Sequence, residues 1–196
     1  MTETETSNRP VRLHIFDMDG TLLDSMRMWD NISSDYLRSR GFEPPEGLAE
    51  ILDPMTFPEV CQYLAERWDL GSPADVSRGM MSYLDHQYEE ELKLFPDAME
   101  AIEEAEKDRC FMVILSNSTA HQVAAAMGRL GVLDHIDEIF TSEGLGMRKD
   151  SPDIFRRVCR HMGAKPEETM VHDDSEYALK AAEEAGCMTK KYDRYR

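Results

Sequence analysis

The chain has 196 residues and a formal net charge of −17, with 41% hydrophobic and 31% charged residues. That size and balance suit one α/β core with a small accessory module, and no run approaches the roughly 18 apolar residues of a membrane span. The acidity disfavours nucleic acid and anionic membranes as partners, and it requires any anionic substrate to be drawn by a local cation, a lysine or a helix N-terminus.

Residues 1–10 are polar and acidic and lack the basic and apolar regions of a signal peptide, so they read as a disordered leader on a cytoplasmic protein. Residues 11–16, Val-Arg-Leu-His-Ile-Phe, form an apolar-rich run that predicts a strand ending at an Asp-rich loop. From residue 26 to about 92 the signals are helical only. Thr56-Phe-Pro-Glu59 is a capping box, Ser72-Pro73 opens another helix, and Gly41 and Gly71 supply stops, which predicts a bundle of three or four helices.

After Phe95-Pro96 the pattern becomes an alternation. A helix near 97–107 leads to the strand 110–115, the most apolar run of the chain, and a helix over 119–130 precedes a short strand at 138–141. Ser151-Pro152 opens a further helix. A strand at 169–172, a helix over 175–184 stopped by Gly186, and a last short strand at 187–190 complete the series. The alternation predicts an α/β fold: a doubly wound, Rossmann-like parallel sheet with an inserted α-helical module. Ligands of such sheets bind beyond the strand C-termini, where Asp17, Asp19, Ser116, Asp173 and Asp174 fall. Cys61, Cys110, Cys159 and Cys187 form no Cys-x-x-Cys pair and read as reduced thiols.

The run Phe16-Asp17-Met18-Asp19-Gly20-Thr21-Leu22-Leu23-Asp24 carries the strongest chemical signal. Two carboxylates at a strand end can converge on a hard cation such as Mg²⁺, and Gly20 permits a tight backbone path. Taken alone, the run also fits an Asp-Gly turn with solvated or capping aspartates. Likewise Ser116-Asn117 and Asp173-Asp174-Ser175 alone would suit helix caps, and Lys149 a surface charge.

The run nevertheless resembles the first motif of the haloacid dehalogenase superfamily, and counterparts of its other motifs follow in order. Leu115-Ser116-Asn117-Ser118 is similar to the Ser/Thr motif, and the segment around Lys149-Asp150-Ser151-Pro152 to the lysine motif. Val171-His172-Asp173-Asp174-Ser175 is similar to the acidic motif. The resemblance covers nearly the whole chain. It implies a phosphatase of the branch with a helical cap, comprising a core of residues 11–25 and 93–196 and a cap of residues 26–92.

The resemblance also implies the roles. Asp17 would be the nucleophile that forms an aspartyl-phosphate, and Asp19 the general acid and base. Ser116, Asn117 and Lys149 would hold the phosphate. Mg²⁺ would be bound by Asp17, by Asp19 through its main-chain carbonyl, and by Asp173 or Asp174. The cap would close over the site and choose the substrate. The sequence departs from the family pattern at Asp150, where many relatives have Pro, and at His172, where Gly or Glu is commoner. The expected partner is a small phosphorylated metabolite, and the protein is expected to be a monomer or weak homodimer. A sugar-phosphate mutase of the β-phosphoglucomutase kind is the alternative, and a non-catalytic interaction protein with the same fold ranks lower because Asp17, Asp19 and Lys149 are all present.

Overall fold

The computed structural model describes residues 11–195, so the expected leader, residues 1–10, lies outside the described residues. Strand β1 (Leu13–Phe16) buries all four of its side chains, as a central strand covered on both faces must. Helices α1 (Met26–Ser39), α2 (Leu48–Leu52), α3 (Phe57–Trp68) and α4 (Pro73–His86) follow, the last continuing into a π-helical turn at Gln87–Glu91. The alternating part comprises α5 (Ala98–Glu106), β2 (Phe111–Ser116), α6 (Ala120–Arg129), β3 (Glu138–Thr141), α7 (Ser142–Leu145), α8 (Pro152–His161), β4 (Thr169–Asp173), α9 (Glu176–Ala185) and β5 (Met188–Lys191).

The strands form one parallel sheet in the order β3-β2-β1-β4-β5. From β1 the chain builds outward through β2 and β3, then crosses back to add β4 and β5 on the other side. The order therefore reverses at the β1/β4 boundary, and that is where such sheets open a crevice at their strand C-termini. Phe16 is in register with His172, so the residues that follow them, Asp17 and Asp173, emerge side by side. This is the doubly wound α/β architecture that the alternation predicts.

One sheet face packs Leu13, Ile15, Val113, Leu115 and Val171 against Ile154, Phe155 and Val158 of α8 and Ala178 and Ala182 of α9. Each large aliphatic side chain fully buried there contributes roughly 1.5–3 kcal/mol. The chain divides into two compact units, one of them Ser25–Leu92. This helical unit has its own core, which includes Tyr36, Leu37, Leu64, Val76 and Met80.

Local chemistry explains several element starts. Thr56 and Ser72 are the N-caps of α3 and α4, where their backbone N–H groups donate to the Glu59 and Asp75 carboxylates at 2.7 and 2.8 Å. Ser151 caps α8, with Pro152 at its first position. The short helix α7 has no counterpart in the sequence reading, and the π-helical turn falls within the region read as helical without being distinguished there. Each is about one turn long, too short for a periodic pattern to emerge.

Candidate active site

β1 delivers Asp17 to the sheet edge, where its N–H donates to the His172 carbonyl at 2.9 Å. The chain then coils tightly. The N–H groups of Thr21, Leu22 and Leu23 converge on the Met18 carbonyl at 3.4, 3.0 and 2.8 Å, and the Gly20 N–H donates to the Leu23 carbonyl at 2.9 Å. Gly20 has φ 85°, a left-handed conformation that a side chain would strain. Met18, Leu22 and Leu23 are fully buried and anchor the coil from beneath.

Lys149 bridges the carboxylates of two strand ends. Its Nζ donates to Asp17 Oδ1 at 2.7 Å and forms an ion pair with Asp173 Oδ2, also at 2.7 Å. All three side chains are buried. Burial pushes the Asp17 carboxyl well above the ordinary carboxylate range, the Lys149 charge opposes that rise, and Asp173 adds to it. For Lys149, burial disfavours the charged form, but Asp17 and Asp173 outweigh it and hold the ammonium above its usual value. Asp174 is raised by burial and then by the charge of Asp173.

Asp17, Asp173 and Asp174 each bring a carboxylate oxygen within 4.8 Å of the others. Asp17 Oδ2 is buried with no hydrogen-bond partner, and Asp173 Oδ2 is buried with the shared Lys149 ammonium beside it. Buried acceptors without donors are costly, and a hard cation is what this all-oxygen set suits. The residues present therefore fit Mg²⁺.

The Asp19 carboxylate is not part of that group; its Oδ2 accepts a hydrogen bond from Ser118 Oγ at 2.7 Å. Ser116, the last residue of β2, is fully buried, and its Oγ accepts the Ser118 N–H at 3.0 Å. Asn117 is exposed; its Nδ2 donates to Tyr177 Oη at 3.2 Å and its Oδ1 accepts from Ser142 Oγ at 2.5 Å. It is not the N-cap of α6, a role that Thr119 takes. Asn117, Ser142, Arg148, Lys149, Asp150 and Tyr177 line a cavity of about 360 Å³. Asp150 pairs with Arg148 at 2.7 Å, so its negative charge is answered locally.

Some participants escaped the sequence reading. Ser118 was legible as a second hydroxyl in the Ser/Thr motif, but its partnership with Asp19 spans 99 residues. Beneath the site, His14 Nδ1 and His172 Nε2 lie 2.8 Å apart, with Tyr192 Oη 3.2 Å from His172 Nδ1. Burial, then the neighbouring His14 and Lys190, push His172 down to about 3, and burial also lowers His14 against the opposing pull of Asp108. No local signal marks this pair, which the register of β1 against β4 creates.

A family model described as haloacid dehalogenase-like hydrolase matches residues 14–190. A phosphoglycolate phosphatase from Rhodobacter capsulatus is 28% identical over 180 residues, spanning 88% of this chain and 80% of that protein. Hexitol phosphatase B from Escherichia coli is 24% identical over 183 residues, or 90% of this chain and 81% of the other. Among solved structures, a putative β-phosphoglucomutase from Thermotoga maritima superposes with a TM-score of 0.79 at 22% identity, covering 90% of this chain and 82% of that one. The chain belongs to the haloacid dehalogenase-like hydrolases and is an enzyme of that family.

Proposed function

We propose that this hydrolase releases inorganic phosphate from a small phosphate monoester in a Mg²⁺-dependent reaction that passes through an aspartyl-phosphate on Asp17. The observation that carries this reading is the state of the Asp17 carboxylate. Lys149 fixes one oxygen at 2.7 Å, while the other has no hydrogen-bond partner. Asp17 forms a bond to phosphorus as the bond to the leaving oxygen breaks. Asp19 gives that oxygen a proton, then removes one from the water that attacks the phosphoenzyme, which frees phosphate and restores Asp17. Ser118 holds the Asp19 carboxylate for both transfers. Ser116 and Lys149 hold the phosphoryl oxygens, with Asn117 at the rim. Asp17, Asp173 and Asp174, with the main-chain carbonyl of Asp19, would hold Mg²⁺, which supplies positive charge that lets a carboxylate approach an anionic phosphate.

The division into a core of residues 11–25 and 93–196 and a cap of residues 26–92 belongs to the same proposal, as do the small phosphorylated substrate and the cytoplasmic setting. The names of the curated relatives favour a phosphatase over a mutase. So does the charge of the helical segment. Its basic residues are five arginines and no lysine. Of these, Arg38 pairs with Asp35, Arg78 with Asp75, and Arg67 lies over Trp68. The loop Leu52-Asp53-Pro54-Met55-Thr56, in the place of the family's specificity loop, has no basic residue; a grip on a second phosphate there would need one, which favours a substrate with one phosphate on a neutral leaving group.

The test is phosphate release from a panel of phosphate monoesters, including p-nitrophenyl phosphate, with Mg²⁺, with EDTA, and with Asp17→Asn. Release that needs Mg²⁺ and vanishes in the variant supports the proposal. Release by Asp17→Asn at the wild-type rate refutes the nucleophile, and isomer formation from a sugar phosphate without net phosphate release points to the mutase.

A further inference from the structure

The Thr21 carbonyl, in the middle of the catalytic loop, is held by a residue near the other end of the chain. Arg194 donates to it from Nη2 at 3.0 Å and from Nε at 3.3 Å. Three neighbouring loop carbonyls are instead held by main-chain donors: Met18 serves three N–H groups, Leu22 accepts from Phe95 N–H at 2.9 Å, and Leu23 accepts from Gly20 N–H.

The guanidinium is itself fixed on several sides. It stacks 4.5 Å from the Phe95 ring centroid and 4.7 Å from that of Tyr192, and its Nη1 donates to Asp97 Oδ1 at 2.5 Å. Its side chain is only 12% exposed. A planar cation with a forked donor set fits such a slot, and a lysine does not. The same segment also binds the acidic strand end, for the Tyr192 N–H donates to the Asp173 carbonyl at 3.0 Å. Tyr195 Oη donates to Asp24 Oδ1 at 2.6 Å, where the loop ends. Residues 192–195 thus tie the strand end bearing Asp173 to the loop bearing Asp17 and Asp19.

We infer that Arg194 is a positioning residue: through the Thr21 carbonyl it sets the catalytic loop, and hence Asp17 and Asp19, relative to Asp173. The kinetic part of this inference rests on the proposed phosphatase reading. Arg194 touches no reacting atom. Its effect is geometric, and small misplacements of reacting groups are expensive in rate.

The experiment uses the full chain with Arg194→Ala and Arg194→Lys, assayed on p-nitrophenyl phosphate with Mg²⁺. Amide hydrogen exchange is measured in parallel on the metal-free protein. The expected result for Arg194→Ala is a fall in kcat of about 10-fold to 100-fold, with KM changed by less than about two-fold. Millimolar guanidinium, which can enter the slot between Phe95 and Tyr192, should restore part of that kcat without accelerating the wild type. Arg194→Lys should recover little, because it keeps the charge but not the fork. In the exchange arm, the Thr21, Leu22 and Leu23 amides should exchange faster while those of Val113 and Ile114 do not. The inference is overturned by wild-type kcat in Arg194→Ala, or by exchange that rises equally across the sheet with no guanidinium rescue. If the wild type itself releases no phosphate, the phosphatase reading fails, and unchanged exchange of the loop amides then overturns the positioning role by itself.

Discussion

The Lys149 ammonium lies 2.7 Å from Asp17 Oδ1, although 132 residues separate the two in the chain. Their side chains are 3% and 9% exposed, so neither charge is screened by water. Removing one partner of such a pair leaves the other buried and uncompensated. Lys149→Met should therefore cost about 3–5 kcal/mol of stability, toward the lower end if Asp17 takes up a proton. It should also reduce phosphate release by at least about 100-fold. Denaturant unfolding and steady-state kinetics check the two effects, and a variant as stable as the wild type would contradict the account of this pair.

The unpartnered Asp17 Oδ2, clustered with the Asp173 and Asp174 carboxylates, predicts that a cation stabilises the folded chain. At a Mg²⁺ concentration 100 times the dissociation constant, the gain should be about 2.7 kcal/mol. EDTA should reverse the resulting rise in melting temperature, and Asp173→Asn should abolish it. A shift of equal size in Asp173→Asn would place the bound cation elsewhere.

The capping boxes make part of the helical unit's stability sensitive to acid. Hydrogen bonds from Thr56 hold the Glu59 carboxyl below its ordinary value of 4.5, and hydrogen bonds from Ser72 hold Asp75 below 3.8. A carboxyl whose folded pKa lies below its unfolded one stabilises fully above the unfolded value and loses that contribution as pH falls through the folded one. Glu59→Gln and Asp75→Asn should therefore lower the melting temperature at pH 7 and become neutral below the folded pKa. Melting curves across pH 2–7 test this. A penalty that persists undiminished at the acid end would mean that the charge is not responsible.

Gly79 lies in α4 against Tyr36 of α1, within the helical unit. A methyl group there would come within 2.8 Å of Tyr36 Cε2 and 2.9 Å of its Cζ. Tyr36 is itself buried, so its ring has little room to yield. Overpacking of this kind costs typically about 1–3 kcal/mol, against a helix-propensity gain of up to about 1 kcal/mol for replacing glycine. Gly79→Ala should be net destabilising by up to about 2 kcal/mol in chemical denaturation. A stabilised variant would show that the α1–α4 contact can open freely.

The sequence by itself determined what depends on neighbouring residues. Apolar runs marked the strands, and Thr56, Ser72 and Ser151 announced their helices because a cap and its partner lie within three residues. The order of motifs placed Asp17, Asp19, Ser116, Lys149, Asp173 and Asp174 at strand ends or the loops near them, since parallel strands joined by crossover helices put successive loops on one edge. Tertiary structure alone decided which of those residues touch one another. The pairing of β1 with β4 set Asp17 beside Asp173, so Lys149 serves both and Asp19 is left to Ser118. It also brought Arg194 to the Thr21 carbonyl and His14 to His172. Those contacts join residues more than 150 positions apart, and no local propensity encodes a distance that strand order and register create.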